Sequence, residues 1–306
     1  MSEARKKIAV LVSADLLPGH AERREDAFEF EEQMGKITPA FAANGMDVDV
    51  INWKDAPNVA AQYDAMLPLL VWDYFVGNEN AFMAAMAQVS GQTLLLNSFK
   101  TLQWNASKDY LEELGKQGAP TIQTVSMDKV SETWIARAMD TLRADKVVIK
   151  PDVGGGAWRQ VVYEKGQPFP ATADLPPRGA LVQPFLERVQ TEGEFSFLYF
   201  GDAFSHAVRK RPADGDYRIQ SLYGGTEEVY TPTNEQRAQA RRILDTLDFT
   251  PLYARVDLLP GNDGRLLLIE LELIEPYLYL NFAEGKGAEN KGAQKLAKAL
   301  VKRLAG

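Results

Sequence analysis

Three apolar runs mark the first ninety-odd residues: KIAVLVSA at 7–14, MDVDVINW at 46–53 and YDAMLPLLVW at 63–72. Each reads as a strand, and the first and third are nearly continuous in apolar residues, as strands buried on both faces of a sheet are. Residues 22–44 carry a helical pattern that Gly45 ends. Pro39 should kink or split that helix, because its ring blocks one helical hydrogen bond. A second helix is predicted over 80–89, where Phe82, Met83, Met86 and Val89 recur at intervals of three or four before Gly91. Strand, helix, strand, strand, helix predicts a small α/β layer domain.

From about Thr93 the pattern changes. Helices are predicted over 107–114, 131–142, 234–247 and 293–304, and a short strand in GAPTIQT at 118–124. Thr233 and Gln236 have the capping-box spacing that satisfies free amides at a helix start. In the last helix Leu296, Leu300, Val301 and Leu304 fall on one face. The segment 146–167 reads as strand, glycine-rich turn and strand; 180–185 and 195–200 read as further strands. Residues 252–274 form a hairpin turning at GNDG, 261–264. There is no internal repeat and no low-complexity segment.

Composition narrows the chemistry. The 306 residues include no cysteine and two histidines, His20 and His206. Disulfides, thiolate metal sites, a cysteine nucleophile and a three-histidine metal site are excluded. With 34 basic against 42 acidic side chains the net charge is −8, which argues against a nucleic-acid partner. The longest apolar run, 65–72, is far below the ~18 residues of a membrane span. The stretch 8–12 is too short for a signal-peptide core. A cytoplasmic globular protein with no membrane partner is the expectation. No GxGxxG follows the first strand and no GxxxxGK[ST] occurs, which removes the Rossmann and Walker readings.

Chemistry then falls to carboxylates, lysines and arginines. Side chains alternate along a strand, so Arg255 and Asp257 share one face of the hairpin, and Glu270 and Glu272 share a face on the return strand. The turn sets Asp257 opposite or diagonal to Glu270. Three converging carboxylates need a compensating cation, and an oxygen-only set suits magnesium that also touches phosphates. A solvated polar sheet face fits the same pattern. Lys150 ends an apolar strand before Gly154, Gly155 and Gly156, whose backbone amides could cradle an anion, or could form only a loose turn. Arg209, Lys210, Arg211 and Arg218 make a basic set suited to phosphate or carboxylate, or to a solvated face. Lys108 opens a helix, where the dipole does not favour a cation. His206 reads as a satisfied sheet histidine, and Trp72–Asp73 as a core tryptophan followed by a turn aspartate.

Taken in order along the chain, these features resemble the ATP-grasp superfamily of carboxylate–amine ligases, which includes glutathione synthetase and D-alanine–D-alanine ligase. That resemblance implies an α/β (α+β) ATP-grasp fold. Its parts would be an N-terminal domain at 1–95, a central and lid subdomain at 96–182, and a C-terminal domain at 183–306. It implies ATP contacts from Lys108, Lys150, the flap glycines, Gln183 and Phe185 of LVQPF, and Glu194 of EGEFSF. It implies magnesium, two ions with manganese able to substitute, on Asp257, Glu270 and Glu272. Arg218, Arg255, Lys210 and Arg211 would stabilise transferred charge. Glu272 and Gln220 stand where the family usually has asparagine. ELELIEP and FSHAVRKRPADGDYRIQ look most like the branch that holds the cycloserine-forming synthetase, which cyclises O-ureidoserine. The implied activity joins a small-molecule carboxylate, activated as an acyl phosphate, to an amine. Alternatives are intramolecular cyclisation and a non-catalytic ATP-binding regulator. A homodimer through the apolar N-terminal layer is the implied assembly.

Overall fold

A computed structural model describes residues 4–154, 158–213 and 224–305. Gly155, Gly156, Arg218 and Gln220 lie outside the described residues.

The N-terminal layer comprises β1 (Lys6–Val12), α1 (Phe28–Ala43), β2 (Met46–Asn52), α2 (Ala56–Val59), β3 (Ala65–Leu70), α3 (Glu79–Ser90) and β4 (Leu94–Leu95). The strands form a parallel sheet in the order β2-β1-β3-β4. β1 is apolar from Ile8 to Val12 because both of its faces are covered there. Ile8, Val10 and Val12 pack with Ile37 and Phe41 of α1, while Ala9 and Leu11 pack with Phe82 and Met86 of α3. Two expectations are corrected here. α1 begins at Phe28 and not at 22, since the preceding residues are held in turns, with the Arg24 amide on the Asp15 carbonyl at 3.0 Å. Pro39 does not split the helix, which runs on to Ala43.

The middle of the chain supplies α4 (Phe99–Asn105), α5 (Tyr110–Lys116), β5 (Val125–Met127), α6 (Glu132–Leu142), β6 (Lys146–Pro151), β7 (Val161–Glu164) and β8 (Ala180–Pro184). These strands form an antiparallel sheet, β5-β8-β6-β7, against which α6 buries Ile135, Ala138 and Met139. The strand expected at 118–124 does not form. Thr121 makes a single bridge to Leu268, and the strand falls at Val125–Met127 instead.

The last third carries α7 (Val189–Glu192), β9 (Glu194–Phe200), β10 (Ala203–Arg211), β11 (Thr226–Tyr230), α8 (Asn234–Asp245), β12 (Tyr253–Pro260), β13 (Leu266–Glu272) and α9 (Lys291–Ala305). Its antiparallel sheet runs β11-β10-β9-β12-β13. α8 opens with the expected capping box and packs Ala240, Ile243 and Leu244 on one sheet face. α9 buries Leu296 and Leu300 in a cluster holding β1 and α1 residues together with Phe200 and Tyr253, so the C-terminal helix joins the first sheet to the last. Val301 lies off that face, 40% exposed. Among the described residues no helix is long and apolar enough to cross a membrane.

Candidate active site

The hairpin β12–β13 is the base of the site. In its register Asp257 pairs with Glu270 and Arg255 with Glu272. The ladder then skips: Leu258 pairs with Leu268, which leaves Ile269 as a one-residue bulge beside the carboxylates. The bulge turns the Ile269 carbonyl toward the middle sheet, where the Lys150 ammonium donates to it at 3.2 Å. Lys150 stands at the end of β6, so a single contact ties the lid strand to the carboxylate strand.

Most of the buried charges here are held in ion pairs, as charges removed from water require. Arg255 Nη2 lies 2.9 Å from Asp257 and also pairs with Glu272. Lys210, on β10 opposite Glu194 across the β9–β10 pair, pairs with Glu194 and lies 3.6 Å from Asp257. The Ser196 hydroxyl donates to Asp257. Lys108 lies 2.9 Å from Glu270 and donates to the Gly154 carbonyl of the lid.

Burial raises the Asp257 and Glu270 carboxyls, but the cations outweigh it: Arg255 and Lys210 bring Asp257 below the ordinary carboxylate range, and Lys108 and Lys150 do so for Glu270. Glu272 is different. Burial pushes it up to about 8; Arg255 works against this, and Asp257 and Glu270 reinforce it. Glu275 is raised well above the usual range, by burial and then by Glu272. Burial lowers Lys150 to about 8. Burial therefore disfavours the charged forms of Glu272, Glu275 and Lys150, while Asp257 and Glu270 stay ionised beside their cations.

The wall faces a cavity of about 590 Å³ lined by parts of all three layers. Of the residues singled out in the sequence, Lys108, Lys150, Gly154, Gln183, Phe185, Glu194, Lys210, Arg255, Asp257, Glu270 and Glu272 line it. Gln183 donates to the Thr124 hydroxyl at 2.9 Å, and the Lys146 ammonium lies 4.2 Å from the Phe185 ring centre. Arg211 does not reach the site. Strand alternation turns it, with Arg209, to the opposite face, where both pair with Glu228. The convergence of three carboxylates is also partial. Among the described residues no three acidic or histidine side chains gather into a ligand cluster, because Arg255 stands between Asp257 and Glu272 and Lys108 holds Glu270. Hard oxygen donors gathered on one wall nevertheless fit a divalent ion that would take over from these cations.

Several wall residues were not singled out in the sequence as site residues. Trp72 donates to the Glu275 carbonyl at 3.0 Å and carries the Arg24 guanidinium 5.7 Å from its ring centre. Glu29 of α1, Glu227 of β11 and Tyr279 come from distant segments with no local spacing to mark them. Glu275 follows Glu272 in the ELELIEP stretch. His206 is the expected sheet histidine: its Nε2 donates to the Leu278 and Tyr279 carbonyls, at 3.0 and 3.1 Å.

A parallel layer, a lid sheet and a five-stranded sheet, closing on a cavity of lysines, arginines and carboxylates, define the class: the chain has the fold of the ATP-grasp ligases and is an ATP-dependent enzyme that forms C–N bonds. Within that class its likeness is to the cycloserine-forming enzymes. Residues 8–97 match the family model for the N-terminal domain of D-cycloserine synthetase DcsG. The chain is 29% identical over 289 residues to the cycloserine biosynthesis protein DcsG of Streptomyces lavendulae, spanning 89% of this chain and 93% of that one. The crystal structure of D-cycloserine synthetase DcsG superposes with a TM-score of 0.81 at 26% identity, covering 97% of this chain and 99% of the other. The ATP-grasp ligase PsnB, solved with Mg, ADP and a variant of its minimal precursor, shares the fold at a TM-score of 0.61 and 16% identity, over 98% and 99% of the two chains.

Proposed function

We propose that the enzyme activates a small-molecule carboxylate, or a related acyl group, as an acyl phosphate and captures it with an amine nitrogen. The observation that carries this is the grouping of Asp257, Glu270 and Glu272 with Lys108, Lys150, Lys210 and Arg255 on the lining of one cavity. In the first step a substrate oxygen attacks the γ-phosphorus of ATP, and the bond to ADP breaks. In the second, the amine nitrogen attacks the acyl carbon, phosphate leaves, and the nitrogen loses a proton. Such transfer depends on positioning and charge neutralisation more than on a strong base.

Asp257, Glu270 and Glu272 would hold magnesium, which supplies charge neutralisation at the phosphates. Lys108 and Lys150 bind the nucleotide phosphates, while Gln183 and Phe185 border the base and Glu194 the ribose. Arg255 and Lys210 stabilise charge on the transferred group, with Arg218 as a further arginine of the same role. The lid excludes water that would hydrolyse the acyl phosphate.

The likeness to D-cycloserine synthetase favours a second form of the same chemistry, in which acyl group and nitrogen belong to one molecule and the product is a ring. The test is ADP formation over a panel of carboxylates with and without amines, including O-ureidoserine alone. Turnover that needs both partners supports intermolecular ligation. Turnover with O-ureidoserine alone supports cyclisation. ATP binding without turnover on any mixture would leave a nucleotide-binding regulator.

A further inference from the structure

β13 carries Glu270 and Glu272 but stands at the edge of its sheet, so one side of its backbone has no neighbouring strand. Unpaired edge amides and carbonyls that are buried cost free energy and leave strand register weakly fixed. Before the bulge, backbone fills the gap: the Leu268 amide donates to the Pro120 carbonyl at 2.7 Å, and the Ile122 amide to the Leu268 carbonyl at 3.2 Å. Beyond the bulge, side chains take over. The Tyr110 hydroxyl accepts from the Leu271 amide at 2.9 Å. Asn105 donates to the Leu271 carbonyl at 2.8 Å and accepts from the Leu273 amide at 2.9 Å. Asn97 donates to the Leu273 carbonyl at 2.8 Å and to the Tyr253 carbonyl at 2.9 Å.

All three side chains are buried, at 2% exposure for Asn97, 3% for Tyr110 and 8% for Asn105. Together they occupy every backbone hydrogen-bonding atom that Leu271 and Leu273 turn outward, on both sides of Glu272. A carboxamide suits this task because it presents one donor edge and one acceptor, matching the carbonyl of one residue and the amide of the next but one. A slip of one residue would carry Glu270 and Glu272 to the opposite sheet face.

We infer that Asn105 and Tyr110, with Asn97, are positioning residues: by clamping the free edge of β13 they set where Glu270 and Glu272 stand relative to Asp257 and Arg255, and so tune metal binding. This rests on the proposal that those carboxylates hold the metal. The test measures Mn²⁺ binding to the full-length protein with ADP, from the free Mn²⁺ signal in electron paramagnetic resonance, alongside thermal unfolding. Asn105→Asp keeps the acceptor for Leu273 but sets an anion against the Leu271 carbonyl. Tyr110→Phe removes a single acceptor and keeps the ring, so it carries the test if the first variant fails to fold. The expected result is Mn²⁺ affinity weakened roughly 10–100-fold by Asn105→Asp, and less by Tyr110→Phe, as substitutions behind metal ligands do, with ADP affinity in the absence of metal unchanged. Lowered unfolding temperature with Mn²⁺ affinity unchanged in both variants would overturn the inference while leaving the metal site intact. If Asp257→Asn also leaves Mn²⁺ binding unchanged, the metal site itself falls.

Discussion

Lys150 carries a folding cost together with its proposed role at the nucleotide phosphates. Its ammonium is buried at the end of β6, and burial lowers it from 10.5 to about 8. Below pH 8 the fold therefore holds a charged group at a penalty. That penalty fades as pH rises from 8 toward 10.5, where the unfolded chain still binds the proton and the folded one does not. Lys150→Met should accordingly raise the unfolding temperature of the ligand-free protein at pH 7, with the gap to wild type closing above about pH 10. The same substitution should weaken ATP binding. In the wild type, ATP affinity measured by calorimetry should fall as pH passes about 8 and the phosphate-binding charge is lost, whereas Lys150→Arg should flatten that profile. A wild-type affinity constant from pH 7 to 9.5 would remove Lys150 from the phosphates. The carboxylates give a matching prediction: Glu270→Gln leaves Lys108 without its 2.9 Å partner, so it should abolish magnesium-dependent turnover while nucleotide binding without metal persists.

At the scale of elements, much of the site was legible because hairpins obey simple counting. The GNDG turn and strand alternation put Asp257 opposite or diagonal to Glu270, and in the observed register the two pair directly, on the far side of the Ile269 bulge from the turn. Counting could not find the Ile269 bulge, which depends on how Lys150 and the 120–122 segment meet the strand. It also could not orient the run Arg209–Lys210–Arg211, because only the pairing of β10 with β9 decides that Lys210 faces Glu194 while Arg211 faces solvent. Glu29 and Glu227 reach the cavity from α1 and β11 through the tertiary fold alone. The helix signals fared better: the Thr233–Gln236 capping box forms as spaced, and Thr233→Ala should cost about 1 kcal/mol in denaturant unfolding. The cap lies on the side of the sheet packed by α8, so turnover per folded molecule should be unaffected.

Across the whole molecule, stability and function meet at the cavity, since all three layers line it and α9 ties the first layer to the last. Leu296→Ala in α9 should destabilise the protein by roughly 2–5 kcal/mol, because it opens a void in the cluster shared by the two sheets. ATP with magnesium should oppose that loss, adding about 2.7 kcal/mol at a hundred times its dissociation constant. The proposed mechanism, in which a carboxylate-held metal and buried cations drive acyl activation by ATP, requires both carboxylates and a divalent ion. It is tested most directly by following ADP release from the wild type, Asp257→Asn and Glu270→Gln over the carboxylate and amine panel, with magnesium present and after its removal by chelation. Substrate-dependent ADP release that requires magnesium and is lost in both variants is the predicted result. Undiminished release from either variant, or from the wild type without a divalent ion, would contradict it.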